Sequence, residues 1–148
     1  MLCALMPQSD PDLKPGSVLH IKKYSSRGHP SKNKYVFVVG FVSETVIAGF
    51  LISSQLSYLQ QETHKKEIVR IPHNATSFLR AESIIQCFEM ERLSMESICQ
   101  GFQDGSVTCC GRLGVKYLYN IRKVVEGSRL LAQMDIESLL QILPTPRA

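Results

Sequence analysis

Thr45-Val-Ile-Ala-Gly-Phe-Leu-Ile52, with Tyr35-Val-Phe-Val-Val39 a short way before it, decides the fold class. Both runs are dense in β-branched and aromatic residues and are bounded by turn formers, which predicts strands buried on much of their surface. Gly40 and Ser43-Glu44 predict the turn that folds 35–52 into a hairpin. Upstream, Ser17-Val-Leu-His-Ile-Lys-Lys-Tyr24 alternates apolar and polar residues, the pattern of a half-buried strand launched by Pro15-Gly16. Between these elements runs a basic loop. Lys22, Lys23, Arg27, His29, Lys32 and Lys34 fall within 22–34, with no carboxylate among them.

Further along, Glu67-Ile-Val-Arg-Ile71 predicts a short strand stopped by Pro72, followed by the turn cluster His73-Asn-Ala-Thr-Ser77. Ser83 to Met90 predicts the next strand. Five short strands separated by loops suggest a small antiparallel barrel. Gln55 to Lys66 is polar, with room for a helical turn through Leu56 and Leu59. Ser94 to Phe102 has two readings: a short helix capped by Ser94 and followed by a loop, or a strand pairing 106–110 across Asp104-Gly105. The first is preferred. From Val115, apolar residues recur at Leu118, Ile121, Val125 and Leu131, predicting an amphipathic helix. Asp135 then reads as the N-cap of a second helix, Ile136 to Leu143, ended by Pro144. Residues 1–13 read as a flexible lead-in and 14–148 as one domain.

The 148 residues suffice for one core, and 44% hydrophobic with 20% charged residues is ordinary globular composition. Net charge is +4, concentrated in the first loop, which suggests an anionic partner: RNA, DNA or an acidic protein. The same run reads equally well as a solvated face. Five cysteines, Cys3, Cys87, Cys99, Cys109 and Cys110, have neither zinc-knuckle spacing nor the look of a disulfide framework, so no metal site and a reducing cytoplasm are expected. No run approaches the roughly 20 apolar residues of a membrane span, and Met1 to Met6 lacks the basic start of a signal peptide.

Several chemistries find no support. The nine glycines form neither a phosphate-cradling nor a dinucleotide-binding fingerprint. The carboxylates are scattered, and His20, His64 and His73 have no evident catalytic partner. What remains is cations and hydroxyls, which suit metal-free, cofactor-free RNA cleavage. That chemistry needs a base for the ribose hydroxyl, a cation for the charge developing on phosphate, and hydrogen bonds that hold the phosphate in line. Lys34, Arg27, His29, Ser53 and Ser54 supply these roles if they converge. Otherwise Lys34 is a strand-edge charge and Ser53 a strand terminator.

Four segments in order carry a family resemblance: Lys14-Pro-Gly-Ser17, Lys34-Tyr-Val-Phe-Val-Val39, Leu79-Arg-Ala-Glu-Ser-Ile-Ile85, and Gly111-Arg-Leu-Gly114 with the helix behind it. Together they resemble the PemK/MazF family, the toxin ribonucleases of type II toxin–antitoxin pairs. The resemblance implies an α+β, mainly β fold: a small SH3-like antiparallel barrel with a C-terminal helix, usually a homodimer. It implies metal-independent cleavage of single-stranded RNA, leaving a cyclic phosphate and a free hydroxyl, and an antitoxin partner that occupies the RNA groove. Carried over by position, Lys34 matches the family's catalytic arginine and Ser53 its threonine or serine. Lys22, Arg27, His29, Lys32 and Ser54 would hold RNA. The family's Arg-Pro is Lys34-Tyr35 here, and lysine keeps the charge without the planar fork that grips phosphate in two places.

Overall fold

The computed structural model describes residues 13–24, 32–54, 64–79 and 81–146. Within them seven strands form one antiparallel sheet: β1 (Ser17–Tyr24), β2 (Lys32–Phe41), β3 (Val46–Ser53), β4 (Ile68–Ile71), β5 (Ser83–Gln86), β6 (Glu91–Ser94) and β7 (Val107–Arg112). Three helices complete the described residues: α1 (Met95–Asp104), α2 (Val115–Glu126) and α3 (Gln133–Ile142). The strand order is β4-β5-β3-β2-β1-β7, with β6 also paired to β3.

The predicted hairpin forms as β2 and β3, and both lie at the centre of the sheet because their residues are apolar on both faces. Phe37, Val39, Ala48 and Phe50 face one core with Ile121, Val125 and Leu139 from α2 and α3. Val36, Val38 and Ile47 face a second core with Met95, Ile98 and Cys99 from α1. Strands buried on both sides read as continuous apolar runs. Leu13, assigned to the lead-in by the sequence, packs in the second core. The remainder of that lead-in, 1–12, lies outside the described residues, as does 55–63 with its expected helical turn.

Barrel closure does not occur: β4 and β7 end the strand order and do not pair with each other. The expected strand from Ser83 to Met90 is also corrected. It ends at Gln86, and β6 resumes at Glu91 after a turn. The two pieces divide one edge of β3: β5 pairs with Ile52 and Ser53, and β6 with Val46 to Gly49.

Ser94 caps α1 as anticipated, its hydroxyl accepting from the Ser97 N–H at 3.3 Å. The loop expected behind that helix is instead β7, which pairs with β1 along Ser17↔Arg112 to Ile21↔Val107. A Gly105 with φ of 84° turns the chain between them. The C-terminal helix stops at Gly127 rather than running to Leu131. The next starts at Gln133, so Asp135 lies in its first turn, where it pairs with Arg92 at 2.7 Å.

Glu67 explains the stop after α2. Its carboxylate, 4% exposed, accepts from the Ser128 hydroxyl, the Arg129 N–H at 2.9 Å and the Leu130 N–H at 3.1 Å. This buried carboxylate thereby satisfies backbone donors of the connection between α2 and α3 and ties that connection to the sheet beside β4. Among the described residues no helix is long and apolar enough to cross a membrane.

Candidate active site

The first strand bends just before the basic loop. Lys23 has a left-handed backbone, φ 55°, and the register of β1 on β2 slips between Ile21 and Tyr24. A side-chain contact holds the bend, the Lys23 N–H donating to Asn33 Oδ1 at 3.1 Å. Such a bulge re-aims the strand end. Asn33 is thus held where β2 begins, one residue before Lys34.

Beside this point is a cleft of about 620 Å³. Asn33, Lys34 and Tyr35 line it from the start of β2, and Ile52, Ser53 and Ser54 from the end of β3. The opposite wall comes from 77–83: Ser77, Phe78, Leu79, Ala81 and Ser83. The register of β2 on β3 runs Tyr35↔Ile52, Val36↔Leu51, Phe37↔Phe50. Continued by one step, it sets Lys34 opposite Ser53. Directly opposed residues of such a ladder stand roughly 5 Å apart.

The far wall is held by its own bonds. The Ala75 N–H donates to Pro72 O at 3.0 Å and the Leu79 N–H to Thr76 Oγ1 at 3.0 Å. The Ser83 hydroxyl donates to Ala81 O at 3.1 Å. Arg70 reaches Glu82 with Nε at 3.0 Å, which neutralises the carboxylate nearest this wall in sequence. The described lining therefore contains one cation, Lys34, several hydroxyls and no carboxylate. Lys34 forms no ion pair with any described residue. An unpaired cation among hydroxyls is an anion site by simple electrostatics.

The expected pair, Lys34 and Ser53, thus shares one cleft, and Ser54 joins it. Lys22 and Lys32 are exposed on β1 and β2 and do not line it. Arg27 and His29 lie outside the described residues. Sequence reasoning passed over Asn33, Tyr35 and the 77–83 wall. The turn cluster at 73–77 marked a loop there, but nothing local showed that residues 77–79 line one cleft with the start of β2. His20, for which the sequence shows no evident catalytic partner, places its ring 4.9 Å from that of Tyr35, its partner across the β1–β2 ladder.

Two of the four segments of the family resemblance, 34–39 and 79–85, line this cleft, and the other two pack on each other. Gly16, with φ of 95°, donates to Val38 O at 2.8 Å and accepts from the Leu113 N–H at 2.9 Å, so the opening turn touches both β2 and the closing motif. A Cβ on Gly16 would lie 2.6 Å from Leu113 O, and the position excludes every other residue. Phe78 packs in turn on Gly111.

The cysteines depart from expectation in one respect. Cys87, Cys109 and Cys110 are free thiols, but Cys99 is disulfide-bonded. Among the described residues no cluster of His, Cys, Asp and Glu is placed to hold a metal ion. No protein-family model matches this chain, and no curated protein matches it significantly.

Proposed function

We propose that the protein is a PemK/MazF-like endoribonuclease that cleaves single-stranded RNA, with Lys34 and Ser53 as its catalytic pair. The observation that carries this reading is their convergence: a cation and a hydroxyl, opposed across two paired strands, in a cleft whose described lining has no carboxylate. Support for the family likeness comes from two of the resembling segments, 34–39 and 79–85, lining that cleft.

In the proposed reaction the ribose 2′-oxygen attacks the adjacent phosphorus. The bond from phosphorus to the 2′-oxygen forms as the bond to the 5′-oxygen breaks, giving a cyclic phosphate and a 5′-hydroxyl. Lys34 stabilises the charge that builds on the phosphate oxygens. Ser53 and Ser54 hydrogen-bond the phosphate and hold it in line. The proton leaves the 2′-hydroxyl and the 5′-oxygen gains one. Residues from the basic loop, Arg27 and His29 among them, are the proposed source of this proton chemistry and of further grip on the strand. Lys22 and Lys32 extend the basic surface, and an antitoxin or a second copy of the chain are the proposed protein partners.

A second reading is a binding module that holds RNA or a protein partner in the same cleft without cutting. It is favoured by the described lining, which offers neither histidine nor carboxylate as a general base. One assay separates the two. Mixed-sequence single-stranded RNA is incubated with the wild type, Lys34→Ala and Ser53→Ala, and the products are analysed for cyclic phosphate ends. Cleavage that both substitutions reduce supports the ribonuclease. Salt-dependent binding without products selects the module.

A further inference from the structure

The hydroxyls and Lys34 of the cleft suit a phosphate, but its aromatic wall does not. Tyr35 and Phe78 both line the cleft, and both are half-buried against the main core. Each is backed by a fixed element. The His20 ring stands against Tyr35 with centroids 4.9 Å apart and planes inclined by 58°. Phe78 rests on bare backbone, since a Cβ on Gly111 would fall 2.7 Å from its Cε1. The faces of two braced rings beside an anion site give a phosphate oxygen nothing to bond. They offer a nucleobase a face to stack on, and stacking does not depend on base identity. Bases in a duplex already use their faces, so only an unpaired base reaches such a wall.

We infer that Tyr35, braced by His20, is the stacking floor for one unpaired nucleobase beside the phosphate held at Lys34. The inference rests on the RNA reading and deepens it: the cleft selects single strands because its floor is aromatic. Tyr35 touches the base, and His20 is a positioning residue that acts through the Tyr35 ring.

The test uses a short single-stranded RNA with 2-aminopurine at one central position, made uncleavable by deoxyribose there, and a matched RNA with an abasic site. Wild type is expected to quench the 2-aminopurine on binding and to bind the abasic RNA about tenfold more weakly. Tyr35→Leu loses the quench and the tenfold preference, whereas Tyr35→Phe keeps both. His20→Ala weakens the preference and His20→Phe restores it, a rescue that a role in polar chemistry would not give. Lys34→Ala weakens both RNAs in parallel and leaves their ratio unchanged. Equal binding of the two RNAs by wild type, or a Tyr35→Leu variant that keeps quench and preference, overturns the stacking floor while leaving the phosphate site standing. Wild type that binds neither RNA at low salt overturns the RNA reading, and the stacking floor with it.

Discussion

Gly111 makes the room that the Phe78 ring fills: a side chain there would begin 2.7 Å from Cε1. The contact joins the closing strand β7 to the wall of the cleft. Gly111→Ala is therefore expected to cost about 1–3 kcal/mol, as overpacking does, and to lower the melting temperature by several degrees. Shrinking the neighbour should relieve it. In Gly111→Ala/Phe78→Leu the combined loss should fall short of the sum of the two single losses, read by thermal denaturation as a coupling between touching residues.

Lys34 carries the proposed chemistry but little of the fold. It is half-exposed and makes no ion pair with a described residue. Lys34→Ala should reduce RNA cleavage by about 10²-fold, the loss typical of removing one transition-state donor. Its melting temperature should stay within about 2 °C of wild type. Lys34→Arg should match or exceed the wild-type rate, because guanidinium keeps the charge and adds a bidentate grip. A rate for Lys34→Arg as low as that for Lys34→Ala would remove the charge from the mechanism.

Glu67 is the reverse case, a charge that serves the fold. Glu67→Gln replaces one acceptor oxygen by an amide donor facing the N–H groups of Arg129 and Leu130. The expected loss is about 3 kcal/mol, from charge-assisted bonds broken and donors left buried. Ser128→Ala removes one donor to Glu67 and the acceptor of the Leu131 N–H, and should cost about 1–2 kcal/mol. Denaturant titration of both variants checks the ranking.

Cys87 gives a pH dependence with a definite sign. Burial pushes its thiol well above the ordinary value near 9, and the nearby Glu67 carboxylate adds to the shift. In the unfolded chain the thiol ionises at its ordinary pKa, while in the fold it stays protonated. The stability that this contributes is fully present below about pH 9 and is lost progressively as pH rises beyond it. Cys87→Ala should flatten the alkaline arm of a stability–pH profile. At pH 8 a thiol reagent should label exposed Cys109 in the native protein and Cys87 only on unfolding.

The central strands were legible because residues 35–39 and 45–52 are apolar on both faces, and only a strand between two cores demands that. The helices were legible from spacing, with Ser94 placed as the cap it is. The break between Gln86 and Glu91 was not: each half satisfies strand preference, and only the competition for one edge of β3 separates them. The strand β7 was passed over for a loop because Thr108, Cys109 and Cys110 lie on an edge with no apolar alternation. Lys34 and Ser53 were legible through register and resemblance together. The aromatic wall was hidden because Phe78 is brought to Tyr35 by the path of a loop, and no periodicity records such a path.

The pairing of β1 with β7 has a consequence for how the chain is made. Arg112 Nε donates to the carbonyl of Pro15 across 97 residues of sequence, and the whole outer edge of β1 waits for the same late segment. During synthesis the first strand emerges with its hairpin partner soon to follow, but with its other neighbour not yet translated. Domains so dominated by distant contacts fold slowly, and their unpaired edges are exposed while they wait. The exposed cations Lys22 and Lys23 sit near the end of that strand and oppose pairing with the wrong chain. The basic character from which an anionic partner was first inferred thus also guards the nascent polypeptide.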